Sequence, residues 1–173
     1  METILTILCY TIPSLLILIS FAIILRKMLN NEREIRNFYL RKQTHEIVTP
    51  IRLRAYERLV LLLQRTQPTS ILMRQNLNKM TVLRLQTELL KQIREEFEHN
   101  AAQQIYVSQA AWTLVSNAKE SLINLVNVSA AQYQPTDPAL PMAQLLIKAY
   151  GDFENPPSEV ALKYLRDEVT KNF

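Results

Sequence analysis

The sequence predicts an all-α protein: one N-terminal transmembrane helix, a helical stalk, and a cytoplasmic helical bundle of about five helices. Three observations lead there. The 173 residues include a single glycine, Gly151, whereas folds built from strands and tight turns draw on glycine repeatedly. The 23 residues from Thr3 to Leu25 contain no charge. Beyond Pro50, apolar residues recur at three- and four-residue spacing, the period of an amphipathic helix.

The uncharged run is long enough to span a bilayer. At about 1.5 Å per residue it makes a helix of roughly 35 Å, against a hydrocarbon core of about 30 Å. A cleaved signal peptide needs a positive leading segment and a small-residue cleavage site. Here only Met1 and Glu2 precede the run, and Arg26, Lys27 and Met28 follow it. An uncleaved anchor is therefore expected, and a buried core helix of that length would be unusual. Cys9, the single cysteine, lies inside the run and serves there as a small apolar residue. Pro13 removes one backbone hydrogen bond in the outer half of the span, with Thr11 and Ser14 close enough to compensate. No Gly-x-x-x-Gly spacing marks the span for self-association.

A basic collar follows. Arg26, Lys27, Arg33, Arg36, Arg41 and Lys42 stand against Glu32 and Glu34, so these six are the candidate lipid-proximal residues. Positive residues stay on the cytoplasmic side, which predicts a cell inner-membrane, single-pass topology with the N-terminus outside. The bilayer and its anionic head groups are the expected lipid partners. Of the formal net charge of +4, the collar supplies +4, Glu2 −1 and residues 43–173 only +1. A nearly neutral body argues against nucleic acid as a partner. Aromatic residues do stand near basic ones at Arg36, Phe38, Tyr39 and Arg41 and again at Arg52, Arg54, Tyr56 and Arg58, but lipid contact and solvated helix faces account for them.

From Ser14 to Thr49 there is neither glycine nor proline, so span and collar can form one helix. The alternative is a bend near Asn30-Asn31, with the collar lying on the membrane surface. Met28, Ile35 and Phe38 recur at heptad spacing over about two heptads, too short for a coiled-coil signature by itself. The division expected is an anchor over 1–27, a basic stalk over 28–48 and a helical domain over 49–173.

The domain is read in order. Thr49-Pro50 reads as a helix start, a capping hydroxyl before proline. The helix that follows reaches Arg65, and its apolar second half belongs in the core. Thr66-Gln67-Pro68 ends it. Ser70 is expected to cap a short helix to about Asn76, before a turn over Asn76–Lys79. Thr81 caps what reads as the longest helix of the domain, with the stripe Val82, Leu85, Leu89, Leu90, Ile93 and Phe97. Ser108 caps a helix from Gln109 to about Ala131 whose inward candidates are Ala111, Trp112, Val115, Leu122, Leu125 and Val126. Asp137-Pro138 opens a helix to Tyr150 carrying Leu145, Leu146 and Ile147, with Gly151 as its stop. Ser158 caps the last helix, which carries Val160, Ala161, Tyr164, Leu165 and Val169.

Little in the chain carries chemistry. Glu96 and His99 are three apart on a helix, the spacing of half a carboxylate-bridged di-metal site. The other histidine, His45, is in the stalk, and no second Glu-x-x-His exists. Glu96 and His99 are thus weak metal candidates, and the expected set of cofactors is empty. Ser108 and Ser116 lack a nucleophile motif, and one glycine cannot form a phosphate loop. No enzymatic activity is expected, and no catalytic residue is assigned.

Arg54-Ala55-Tyr56-Glu57-Arg58-Leu59, Ile93 to Asn100 and Gln103 to Ser108 resemble an uncharacterised family of small single-span bacterial membrane proteins, a domain of unknown function. The resemblance covers most of the chain up to about residue 130. It implies architecture and a bacterial inner-membrane setting, and no activity. It marks Glu95, Glu96, Glu98, His99, Asn100, Gln103, Gln104, Tyr106 and Trp112 as a candidate interaction or structural motif. The functional expectation is a membrane-tethered interaction or scaffold module for a protein partner or for further copies of the chain. The alternatives are a metal-binding enzyme or sensor built on Glu96 and His99, and a surface module that senses anionic lipid.

Overall fold

The structure is a computed structural model describing residues 1–172; side chains at 3–14, 16, 17, 22, 37, 38, 40, 41, 43–45 and 172 lie outside that description. The expectations for Cys9, Thr11, Pro13, Ser14, Phe38, Arg41 and His45 fall on those side chains and so lie outside the described residues. Two compact units are present, Met1–Val48 and Thr49–Phe173. Both are all-α. Among the described residues the one extended pairing is an isolated antiparallel bridge between Thr81 and Pro138.

Helix α1 runs from Glu2 to Arg65. It carries all of the first unit and the opening segment of the second. The helix start predicted at Thr49-Pro50 is not observed, because Pro50 lies within α1. The physical reason is that proline's φ of about −65° is itself helical, so a helix can continue through it after losing one hydrogen bond. Among the described residues no helix is long and apolar enough to cross a membrane. Much of the predicted Thr3–Leu25 span lies outside those residues. The part that is described is open: Leu18, Phe21 and Ile24 are each more than 60% exposed.

In the second unit the last turns of α1 enter the core. Ala55, Tyr56, Leu59, Leu62 and Leu63 are buried at three- and four-residue spacing, as the apolar second half of this helix requires. Helix α2, Pro68–Leu72, begins at proline rather than at a Ser70 cap, and a 3-10 turn covers Leu77–Lys79. Helix α3 is Val82–Asn100, and the Thr81 hydroxyl accepts the Arg84 amide at 3.4 Å. Its buried stripe is Val82, Leu85, Leu89, Ile93 and Phe97, closed by Asn100, while Leu90 is half-buried.

A second 3-10 turn, Ala101–Ile105, leads to helix α4, Gln109–Ala130, capped by Ser108, whose Oγ accepts the Ala111 amide at 3.1 Å. At 22 residues α4 exceeds the 19 of α3, correcting the expected order of lengths. It packs against α3, α5 and α6. Helix α5 is Ala139–Gly151 and α6 is Pro157–Asn172. Asp137 does not cap α5; its Oδ2 accepts the Gln134 amide at 2.8 Å and tightens the preceding turn. Gly151 is the last residue of α5 and has no positive φ, so it is not the left-handed stop expected. Backbone bonds from Val82 N to the Asp137 carbonyl, 2.9 Å, and from Ala139 N to the Met80 carbonyl, 3.1 Å, fasten the starts of α3 and α5 together. Ser158 lies within the first turn of α6, buried and hydrogen-bonded to the Tyr150 hydroxyl, instead of capping from outside.

Candidate functional site

The residues singled out between Glu95 and Trp112 occupy the end of α3, the 3-10 turn and the start of α4. Helical phase separates them. Asn100 continues the buried stripe three residues beyond Phe97 and is 4% exposed, whereas Glu95, Glu98 and His99 are exposed. Gln104 is exposed, and Gln103, Tyr106 and Trp112 are half-buried, with Trp112 packed against the core.

This stretch is gripped by α1. Arg58 Nε donates to Asn100 Oδ1 at 3.2 Å, and Asn100 Nδ2 donates to the Glu96 carbonyl at 2.8 Å. Two turns on, Arg65 pairs with Glu96 at 3.6 Å. At the other end Arg52 Nε donates to the Tyr106 carbonyl at 3.1 Å. That bond occupies a carbonyl in the connection between the 3-10 turn and α4, where no helix supplies a donor.

A second cluster lies at the base of α4. Glu168 of α6 accepts from the Ser108 hydroxyl at 2.9 Å and also engages the Tyr56 phenol, which lies beside Arg52 as well. Burial, and next the Glu168 carboxylate, push the Tyr56 phenol above its ordinary value. Three elements distant in sequence are thereby tied: α1 through Tyr56, the α4 cap through Ser108, and α6 through Glu168. Sequence reasoning missed Glu168, because nothing local marks one acidic residue of α6. It took Arg52 and Arg58 for solvated or ligand-facing residues. A usable signal was present, since both border the apolar ridge of α1.

The chemistry open to these groups is limited. A groove of about 590 Å³ is lined by Arg65, Arg74, Gln92, Glu95, Glu96 and His99, among others. Within it Glu96 has Arg65 as its counter-charge and Glu95 has Lys91, at 3.8 Å. Among the described residues no group of three or more His, Cys, Asp or Glu side chains could hold a metal ion. The Ser108 hydroxyl accepts at the α4 cap and donates to the Glu168 carboxylate, and both bonds tie the start of α4 to its neighbours. The arrangement is suited to holding helices in register. In the first unit Arg26, Lys27, Arg33, Arg36 and Lys42 of the collar are exposed.

Fold and site thus define a long N-terminal helix joined in sequence to a helical domain whose polar groups serve packing. The chain belongs to a family of unknown function, DUF7935, whose model matches residues 2–172. No curated protein and no solved structure matches it.

Proposed function

We propose that the protein is a membrane-tethered helical scaffold, anchored through the start of α1 and presenting the 49–173 domain to a partner at the cytoplasmic face of a bacterial inner membrane. One observation carries the tether: large apolar side chains are exposed on every side of α1 over 18–25. Leu18, Ile19, Phe21, Ile23, Ile24 and Leu25 are 46–68% exposed. At about 100° per residue these positions go round the whole helix. A helix that docks on a protein core hides one stripe, whereas one that is apolar all round suits hydrocarbon. The exposed arginines and lysines from Arg26 onward then meet the head groups, and their sign favours a cytoplasmic domain. Scaffolding is supported by a domain whose polar groups Arg58, Asn100, Ser108 and Glu168 bond across helices and hold them in register.

Fractionation tests the tether. The full-length chain should remain with membranes through an alkaline carbonate wash and leave them only with detergent; recovery in the aqueous fraction sinks it. Crosslinking in cells tests the scaffold, and a lone monomer throughout, with nothing captured, would remove that part.

A further inference from the structure

We infer that residues 24–42 of α1 pair in parallel with the same segment of a second copy of this chain, forming a two-stranded coiled coil. Two shallow depressions lie along one face of the helix. Ile24, Lys27, Met28 and Asn31 line the first, together with Asn30 and Glu34. Asn31, Glu34, Ile35 and Tyr39 line the second. The second repeats the first seven residues on: Asn31 answers to Ile24, Glu34 to Lys27 and Ile35 to Met28. Residues at i, i+3, i+4 and i+7 are the four that form the hole receiving a partner's side chain in a coiled coil. Positions 24, 27, 28 and 31 are one such set. Met28 is 61% and Ile35 47% exposed, so the knobs that would fill such holes stand open on the same helix.

The spacing permits one heptad frame, with Ile24 and Asn31 at d and Met28 and Ile35 at a; the sequence continues it with Phe38 at d. In that frame Lys27 is at g and Glu32 at e. A parallel pair sets each g residue against the e residue five positions later on the other copy. Lys27 then faces Glu32 of the second copy, twice by symmetry, and both are exposed. The sequence repeats the arrangement two heptads on, with Arg41 at g and Glu46 at e. This charge complementarity selects a second copy as the occupant. The inference names the partner in the scaffold reading and rests on that reading for its setting, since two chains inserted the same way into one bilayer are already parallel.

The test uses the full-length chain with Cys9→Ser and one new cysteine, oxidised in native membranes with copper phenanthroline. Met28→Cys and Ile35→Cys should give covalent dimer at least about tenfold above Arg33→Cys, which the frame turns outward. Equal yields at all three positions, or none at 28 and 35, overturn the proposal. Lys27→Glu should lower dimer formation about fivefold, and adding Glu32→Lys should restore it; failure to restore also overturns it. Carbonate fractionation of the same samples separates the two ideas. Dimer formed by chain in the aqueous fraction sinks the tether alone, and membrane-bound chain without dimer sinks the pairing alone.

Discussion

Asn100 shows how one residue can carry a junction. Its amide is buried where α3 passes into the 3-10 turn, and it bonds both Arg58 and the Glu96 carbonyl. Replacing it by alanine removes both bonds and leaves the space of the buried amide unfilled, while the exposed Arg58 turns to water. Asn100→Ala should therefore cost about 1–3 kcal/mol in urea unfolding, and a change under about 0.5 kcal/mol would contradict this role. Glu96→Gln should cost less than about 1 kcal/mol, since its partner Arg65 is more than half exposed. A pH effect follows from Tyr56. Burial, then Glu168, raises its phenol above the ordinary 10.0, so the unfolded chain loses that proton first as pH rises. Its contribution is complete below pH 10 and is lost as pH rises through the higher folded value. Tyr150, raised chiefly by burial, acts in the same sense. Tyr56→Phe should flatten the fall in stability above pH 10, measured by thermal unfolding across an alkaline series; an unchanged slope would count against it. At this scale the sequence was half legible. Spacing along α3 assigned the stripe through Phe97, but the pattern reads as fading over His99 and Asn100, so the buried place of Asn100 was not anticipated. Arg58, 42 residues distant, became its partner only through folding.

Pro50 poses the corresponding question for an element. A cap-then-proline pair reads as a helix start, yet α1 continues from Glu2 to Arg65. The two cases differ in energy. Proline at a first helical position costs almost nothing, because that amide has no partner anyway, whereas inside a helix it costs about 3 kcal/mol. Pro50→Ala should thus stabilise α1, slowing amide hydrogen exchange around residues 46–54, and unchanged exchange there would return Pro50 to a helix start. Other elements show which signals travel from sequence to structure. The caps at Thr81 and Ser108 were legible because a hydroxyl reaching an amide three residues on is a local event. The faces of α5 and α6 were less so. Ile147 and Val160, singled out as apolar residues of these helices, are 43% and 41% exposed, while Met142 and Leu162 take buried places. In short helices carrying consecutive apolar residues, the neighbouring elements decide which of them are covered.

The whole molecule divides its physics between two units. The second owns a core, and its charge is nearly balanced. The first owns exposed apolar surface and a collar of net charge +4 between Arg26 and Lys42. In the sequence hydropathy changes after Leu25 and charge after Lys42, whereas the units part between Val48 and Thr49. The long-range ties among Tyr56, Ser108 and Glu168 were not legible, since they depend on how helices far apart in sequence meet. The charge asymmetry makes a prediction about surfaces. Basic residues near an anionic membrane contribute about 1 kcal/mol each, and the field falls away within a Debye length. A fragment beginning at Arg26 lacks nearly all of the uncharged run and keeps the collar, so the lipid attraction left to it is chiefly electrostatic. It should bind vesicles containing anionic lipid, bind neutral vesicles at least tenfold more weakly, and lose most of that preference in about 0.5 M salt. Neutralising Arg33 and Arg36 with glutamine removes about 2 kcal/mol, close to thirtyfold in affinity. Equal binding to charged and neutral vesicles would instead assign the attraction to the exposed Met28, Leu29 and Ile35, which salt does not screen.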